Sequence, residues 1–154
     1  MFIENPLNSS ALAFPILECC HILGFAVSIG TIAVVDFSLL GWGLERRSAA
    51  RLLRDTAPWT LTALVLVLLA GAILFLTDPL HYYYNSSFRF KIIALILAIA
   101  FNYTIHRKVA SSDSASPLAS ITVGSVSLIL WVSVVASGLF IGFVSQTTGP
   151  SASS

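Results

Sequence analysis

The segment "LECCHILG", residues 17–24, gathers a carboxylate, two thiols and an imidazole at the start of a long apolar run. Glu18, Cys19, Cys20 and His21 are all groups that can ligate metals or handle protons. Asp36 lies further along the same run, and His81, Lys91, Asn102, His106 and Arg107 lie downstream. In apolar surroundings each ionisable group costs roughly 2.5–3.5 kcal/mol on insertion scales unless it is satisfied, so such groups mark function by default. The two cysteines are neighbours, with Cα atoms about 3.8 Å apart, which is too close for a relaxed disulfide. CxxC spacing for zinc is absent, and both thiols read as small apolar packing residues.

The rest of the chain shows what must position these groups. Hydrophobic residues make up 56% of it and charged residues only 10%, against about a quarter charged in soluble domains. Too few polar side chains exist to cover a water-facing surface, so the solvent is largely lipid. With a net charge of +1 and no basic stretch, nucleic-acid binding is excluded. Four runs reach the length of about 20 residues that a span needs, at about 13–42, 59–77, 88–106 and 118–144. The prediction is an all-α, polytopic membrane four-helix bundle, one domain over 1–154, with 146–154 as a flexible tail. The alternating segments of a membrane β-barrel are missing. The first residues, "MFIENPLNSS", lack a positively charged leader, so the first run is expected to stay in the mature protein.

The connections are short and polar, and Pro58, Pro79 and Pro117 stand at their boundaries, where a missing N–H is harmless. Arg46, Arg47, Arg51, Arg54, Arg107 and Lys108 flank one side, against Arg89 and Lys91 on the other. The positive-inside rule then puts the first and third loops in the cytoplasm and both termini outside, in the inner (plasma) membrane of a cell. Trp59 and Tyr82–Tyr84 suit interfacial belts. "ERRSAARLLRD" reads either as a short amphipathic surface helix or as a solvated loop. Gly138 with Gly142, and Gly24 with Ser28, have the spacing of close helix packing within the bundle or between copies. Asn8 and Asn85 each begin an Asn-x-Ser tripeptide of the glycosylation pattern.

Helical geometry sorts the polar groups. Glu18 and Asp36 are five turns apart, so both point one way, and His21 and Ser28 fall on the same stripe. Depth gives two layers, an outer one of Glu18, His21, His81 and Lys91 and an inner one of Asp36, Asn102, His106 and Arg107. His21 and His106 lie on the order of 20 Å apart along the membrane normal and cannot share one iron. His81 could join His21 if the outer loop folds back. Lys91 is expected to snorkel outward, and Asp36 to have a paired structural or proton role.

"HILGFAVSIG" and "KIIALILAIAFNYTIHRK" resemble the first and third helices of small bacterial four-helix membrane domains related to the copper-resistance D-type family. That group is similar in turn to haem-dependent protoporphyrinogen oxidases. His21 and Gly30 match in the first helix, where Ser28 replaces the usual Trp; Lys91, Asn102, His106 and Arg107 match in the third. The resemblance implies His21 as a ligand of haem b or, at lower rank, copper, with Lys91 as a charged group beside it. Three functions stand as expectations. The first is a haem-binding electron-transfer protein, with Glu18 orienting the ligand. The second is copper or proton handling through Asp36. The third is a non-catalytic subunit or scaffold, as a homodimer or in a larger membrane complex. No soluble catalytic motif is present.

Overall fold

A computed structural model of the chain describes residues 12–42, 49–112 and 114–147, without the side chains of residues 81 and 142–147. Its helices are α1 (Ala13–Leu39), α2 (Ala49–Thr77), the short α3 (Pro79–Tyr84), α4 (Ser86–Ala110) and α5 (Pro117–Thr147). The architecture is all-α. Four of these helices, all but α3, are long and apolar enough to cross a membrane. Lipid offers the backbone no competing hydrogen bonds, so each apolar run satisfies its amides internally as helix. Large apolar side chains such as Leu23, Leu66, Leu69, Ile93, Val132 and Leu139 are exposed on the outside. That surface suits lipid contact.

The helix ends are set by local chemistry. Gly41, at φ +77°, stops α1. The amides of Gly41 and Trp42 bond back to the carbonyls of Ser38 and Phe37, and Trp42 stacks on Phe37 with centroids 6.0 Å apart. Both bonds and the apolar contact are those of a Schellman stop. The helix of the first span therefore ends at Leu39, short of residue 42. At the other end of the bundle, the Asn85 side chain accepts from the Ser87 and Phe88 amides and caps α4. That buried asparagine serves the fold, whereas Asn8 lies outside the described residues.

The second span departs further from expectation. Its helix begins at Ala49, ten residues before Trp59, and Pro58 lies inside it. Packing explains the extension: Ala49, Leu52 and Leu53 join Val35, Leu39, Ala110 and Val123 in a cluster that closes one end of the bundle. Burial of those side chains outweighs the local cost of proline. The described part of "ERRSAARLLRD" is thus the opening of α2, neither a separate surface helix nor a loop; Arg46 and Arg47 lie outside the described residues.

α1 packs most extensively on α2, and α4 on α5, while an α1–α5 contact joins the two pairs. A second cluster of Ile32, Leu64, Ala94, Leu95, Ala98, Trp131 and Val134 fills the middle. Ala94, Ala98, Asn102, His106 and Ala110, four residues apart, are all buried. In an undistorted α-helix each such step drifts about 40°, so five positions would spread over about 160°. The π-turn at Asn102–His106 offsets most of that drift. Its wider turn contains one extra residue and rotates the C-terminal part of the helix back by about 100°. His106 and Ala110 consequently stay on the same inward side as Ala94, Ala98 and Asn102.

A buried carboxylate and imidazole as the candidate functional site

Asp36 and His106 meet across the interior of the bundle. His106 Nε2 lies 2.6 Å from Asp36 Oδ1, and Ser127 Oγ donates to Asp36 Oδ2 at 2.8 Å. Exposure is 1% for His106 and Ser127 and 0% for Asp36. With Nε2–H donating, the carboxylate accepts on both oxygens, the satisfaction a buried anion needs. His106 Nδ1 faces Asn102 Nδ2 at the longer distance of 3.5 Å. Three helices thus contribute, with α1 supplying the acid, α4 the imidazole and amide, and α5 the hydroxyl.

Gly124 permits the α5 contribution. A Cβ there would stand 3.0 Å from the Asp36 carbonyl oxygen and 3.2 Å from Leu39 Cβ. Its absence lets α5 approach α1 closely enough for Ser127 to reach the carboxylate. The order of contacts also rules out a nucleophilic triad in this arrangement. Ser127 is bonded to the acid, and the imidazole nitrogen that would have to accept its proton already faces that acid.

A crevice of about 20 Å³ leads to His106 between α1, α2 and α4, room for about one water molecule. Its polar lining includes Thr31, Thr56, Thr60, Asn102, His106 and Arg107. Thr60 donates to Thr31 Oγ1 at 2.8 Å, which ties α2 to α1 along this wall. The apolar middle cluster with Trp131 and Val134 shares Ile32 with the crevice wall.

The remaining sequence-derived candidates scatter. Arg107 lines the crevice but is exposed, with its guanidinium 5.8 Å from the Tyr103 ring centroid, and makes no ion pair with Asp36. His21 Nδ1 bonds the Val67 carbonyl at 3.0 Å, so the ring is anchored on α2. Gly71 makes room for it, since a Cβ there would lie 3.0 Å from His21 Cε1. Glu18 is exposed and makes no hydrogen bond to His21. The first turns of α1 are largely exposed, so the stripe expected to face the bundle does so fully only at Ser28 and Asp36. Cys19 and Cys20 are free and exposed rather than packed inside. The side chain of His81 and the surroundings of Gly142 lie outside the described residues. Among the described residues no three His, Cys, Asp or Glu side chains converge on a metal-sized site.

Lys91 does not snorkel. Its ammonium lies 5.5 Å from the Phe25 ring centroid, and a Cβ on Gly138 would stand 3.4 Å from Nζ. Gly138 therefore accommodates a cation, a different use from helix contact alone. No described carboxylate is within ion-pair distance. A cation–π contact contributes about 0.5–2 kcal/mol, against the roughly 2.5–3.5 kcal/mol that a cation costs at the centre of a spanning helix.

The profile of DUF6644, a family of unknown function, matches residues 12–144. The chain belongs to the DUF6644 family. Neither the curated proteins nor the solved structures contain a match to it. The DUF6644 region takes in both polar sites, that of Asp36, Asn102, His106 and Ser127 and that of His21 and Lys91. Ser127 is the member that sequence reasoning missed. Serines are common in the fourth span, but Ser120, Ser127 and Val134 recur every seven residues and are all buried. That heptad repeat was the available signal.

Proposed function

We propose that this four-span membrane protein binds and releases protons at Asp36 and His106, reached from the cytoplasmic side of a plasma membrane. The observation that carries the reading is the 2.6 Å contact between an imidazole and a carboxylate, both removed from solvent inside a spanning bundle. Histidine is the side chain whose charge ordinarily changes between pH 5 and 8. A proton arriving on His106 Nδ1 would give an imidazolium held directly against the carboxylate; leaving again, it restores the neutral ring. The crevice beside His106 and Asn102 supplies the approach, and the apolar middle cluster separates the pair from the opposite face. Arg107 lines the crevice, and Arg51, Arg54 and Lys108 belong to the same basic flank in the sequence, which favours a cytoplasmic placement with both termini outside. Infrared difference spectra after pH jumps on reconstituted protein test the proposal. Carboxylate and imidazole bands should appear in the wild type and vanish in Asp36→Asn and His106→Gln. Identical bands in those variants, or none in the wild type, overturn it.

A second reading, haem b on His21 for electron transfer, rests on one contact. The Nδ1–H bond to the Val67 carbonyl fixes the ring and leaves the Nε2 lone pair to act as a ligand, the way ligating histidines are held. A bound haem supplies one-electron chemistry. A Soret band lost in His21→Ala supports this reading, and a colourless protein from haem-replete cells refutes it. Copper fits less well, because the two thiols are exposed and no donor cluster converges among the described residues.

A further inference from the structure

We infer that Lys91 anchors a binding site for the oxyanion head of an acidic amphiphile, a carboxylate or phosphate borne on an apolar body. The site is separate from the Asp36–His106 pair and does not depend on it. Lys91 is the sixth residue of α4, close enough to the helix end for its long side chain to reach toward the headgroups. Instead its ammonium turns into the bundle, over Phe25 of α1 and against Gly138 of α5. No described acidic group pairs with it. A membrane-embedded cation is almost always matched by an anion or a polar partner. Here the chain supplies an aromatic face and, among the described residues, no anion, so the missing partner is a ligand.

The surroundings define what that ligand is. Phe25 lies between the two basic side chains, stacked with His21 at 6.2 Å between centroids and covered by Lys91 on its ring. Gly71 and Gly138 make room for the His21 ring and the Lys91 stem themselves, so both basic side chains lie close against the helices. His21, Lys91 and Gly138 are each only partly buried, so the site opens sideways to the bilayer. An oxyanion can therefore reach the ammonium while the apolar body that carries it stays among lipid chains. A small hydrophilic anion has no such anchorage and would have to leave water entirely.

The test uses the full chain in phosphatidylcholine nanodiscs, titrated separately with oleate, phosphatidic acid and inorganic phosphate. Native mass spectrometry counts bound molecules, and thermal melting reads their effect. One oleate or one phosphatidic acid per chain should bind saturably and raise the melting temperature. Lys91→Met should weaken that binding by at least about tenfold, the effect of losing a charge-assisted contact, whereas Lys91→Arg keeps most of it. Gly138→Leu should block binding with the charge still present. Saturation by oleate alone identifies a carboxylate, and by phosphatidic acid alone a phospholipid phosphate; either outcome sustains the site. Lys91→Met that melts normally in plain phosphatidylcholine yet binds as the wild type does overturns it. Saturable binding by inorganic phosphate alone, or by none of the three probes, also overturns it.

Discussion

Asp36→Leu removes the acceptor for two donors at once. In the native bundle Asp36 takes hydrogen bonds from His106 Nε2 at 2.6 Å and from Ser127 Oγ at 2.8 Å. Leaving a buried donor unsatisfied costs about 1–3 kcal/mol, whereas an interhelical side-chain bond in a membrane is worth only about 0.6–1.7 kcal/mol, because the unfolded chain in lipid also finds partners. Two such bonds give an expected loss of about 1–3 kcal/mol. Asp36→Asn should cost less. One amide oxygen still accepts, the Ser127 hydroxyl can rotate, and His106 can move its proton to Nδ1. The decisive measurement is the full cycle. Replacing the group with apolar residues together, as Asp36→Leu/His106→Leu/Ser127→Ala, removes the stranded donors along with the acceptor. The combined variant should regain most of the stability lost in the single ones, as apolar replacements of buried ion pairs often do. Equilibrium unfolding in mixed micelles of increasing SDS fraction measures each variant. Strictly additive losses, with the triple variant the least stable, would refute the reasoning, because the three side chains would then be acting independently.

Gly124→Ala should destabilise the bundle by about 1–3 kcal/mol by overpacking, since the new Cβ meets a backbone oxygen at 3.0 Å. Gly30→Ala, with nothing within 4 Å, should cost nothing and stabilise the bundle by up to about 1 kcal/mol through helix propensity. Tyr82, outside the spans, has its phenol pushed up from the usual value near 10.0 by burial, with Glu18 and Asp78 adding to the effect. Its protonated form is favoured by the fold, so the associated stability is present below about pH 10 and is lost as pH rises from there through the folded value. An alkaline ultraviolet titration of the four tyrosines should show a late component that Tyr82→Phe removes.

The spans were legible because a lipid solvent imposes the same demand on every residue of a run. Depth was legible too, since helical rise can be counted, and it placed Asp36, Asn102 and His106 in one layer. Direction was not. Whether Arg107 joins that layer depends on rotation about the helix, and the π-turn changes rotation without changing composition. His21 is anchored by a backbone carbonyl, and carbonyls are the same at every position of a sequence. Lys91 had both an outward and an inward course open to its long stem. The glycine opposite it on α5 and the Phe25 ring on α1, both remote in sequence, favour the inward one. Pro58 looked like a boundary because its local preference is strong; the packing of Leu52 and Leu53 against the end of α1 was too distant in sequence to weigh against it.

The π-turn also bears on chain length. Ala94, Ala98 and Asn102 on one side of it, and His106 and Ala110 on the other, behave as an ordinary helix interrupted by a single surplus residue. Deleting Thr104, which is exposed, would let the ladder of hydrogen bonds heal as α-helix. All five positions would then fall within about 80° of one another. The imidazole would keep its heading. A one-residue shortening is accordingly milder here than at any regular turn of α4, where it would swing every buried side chain beyond it by about 100°.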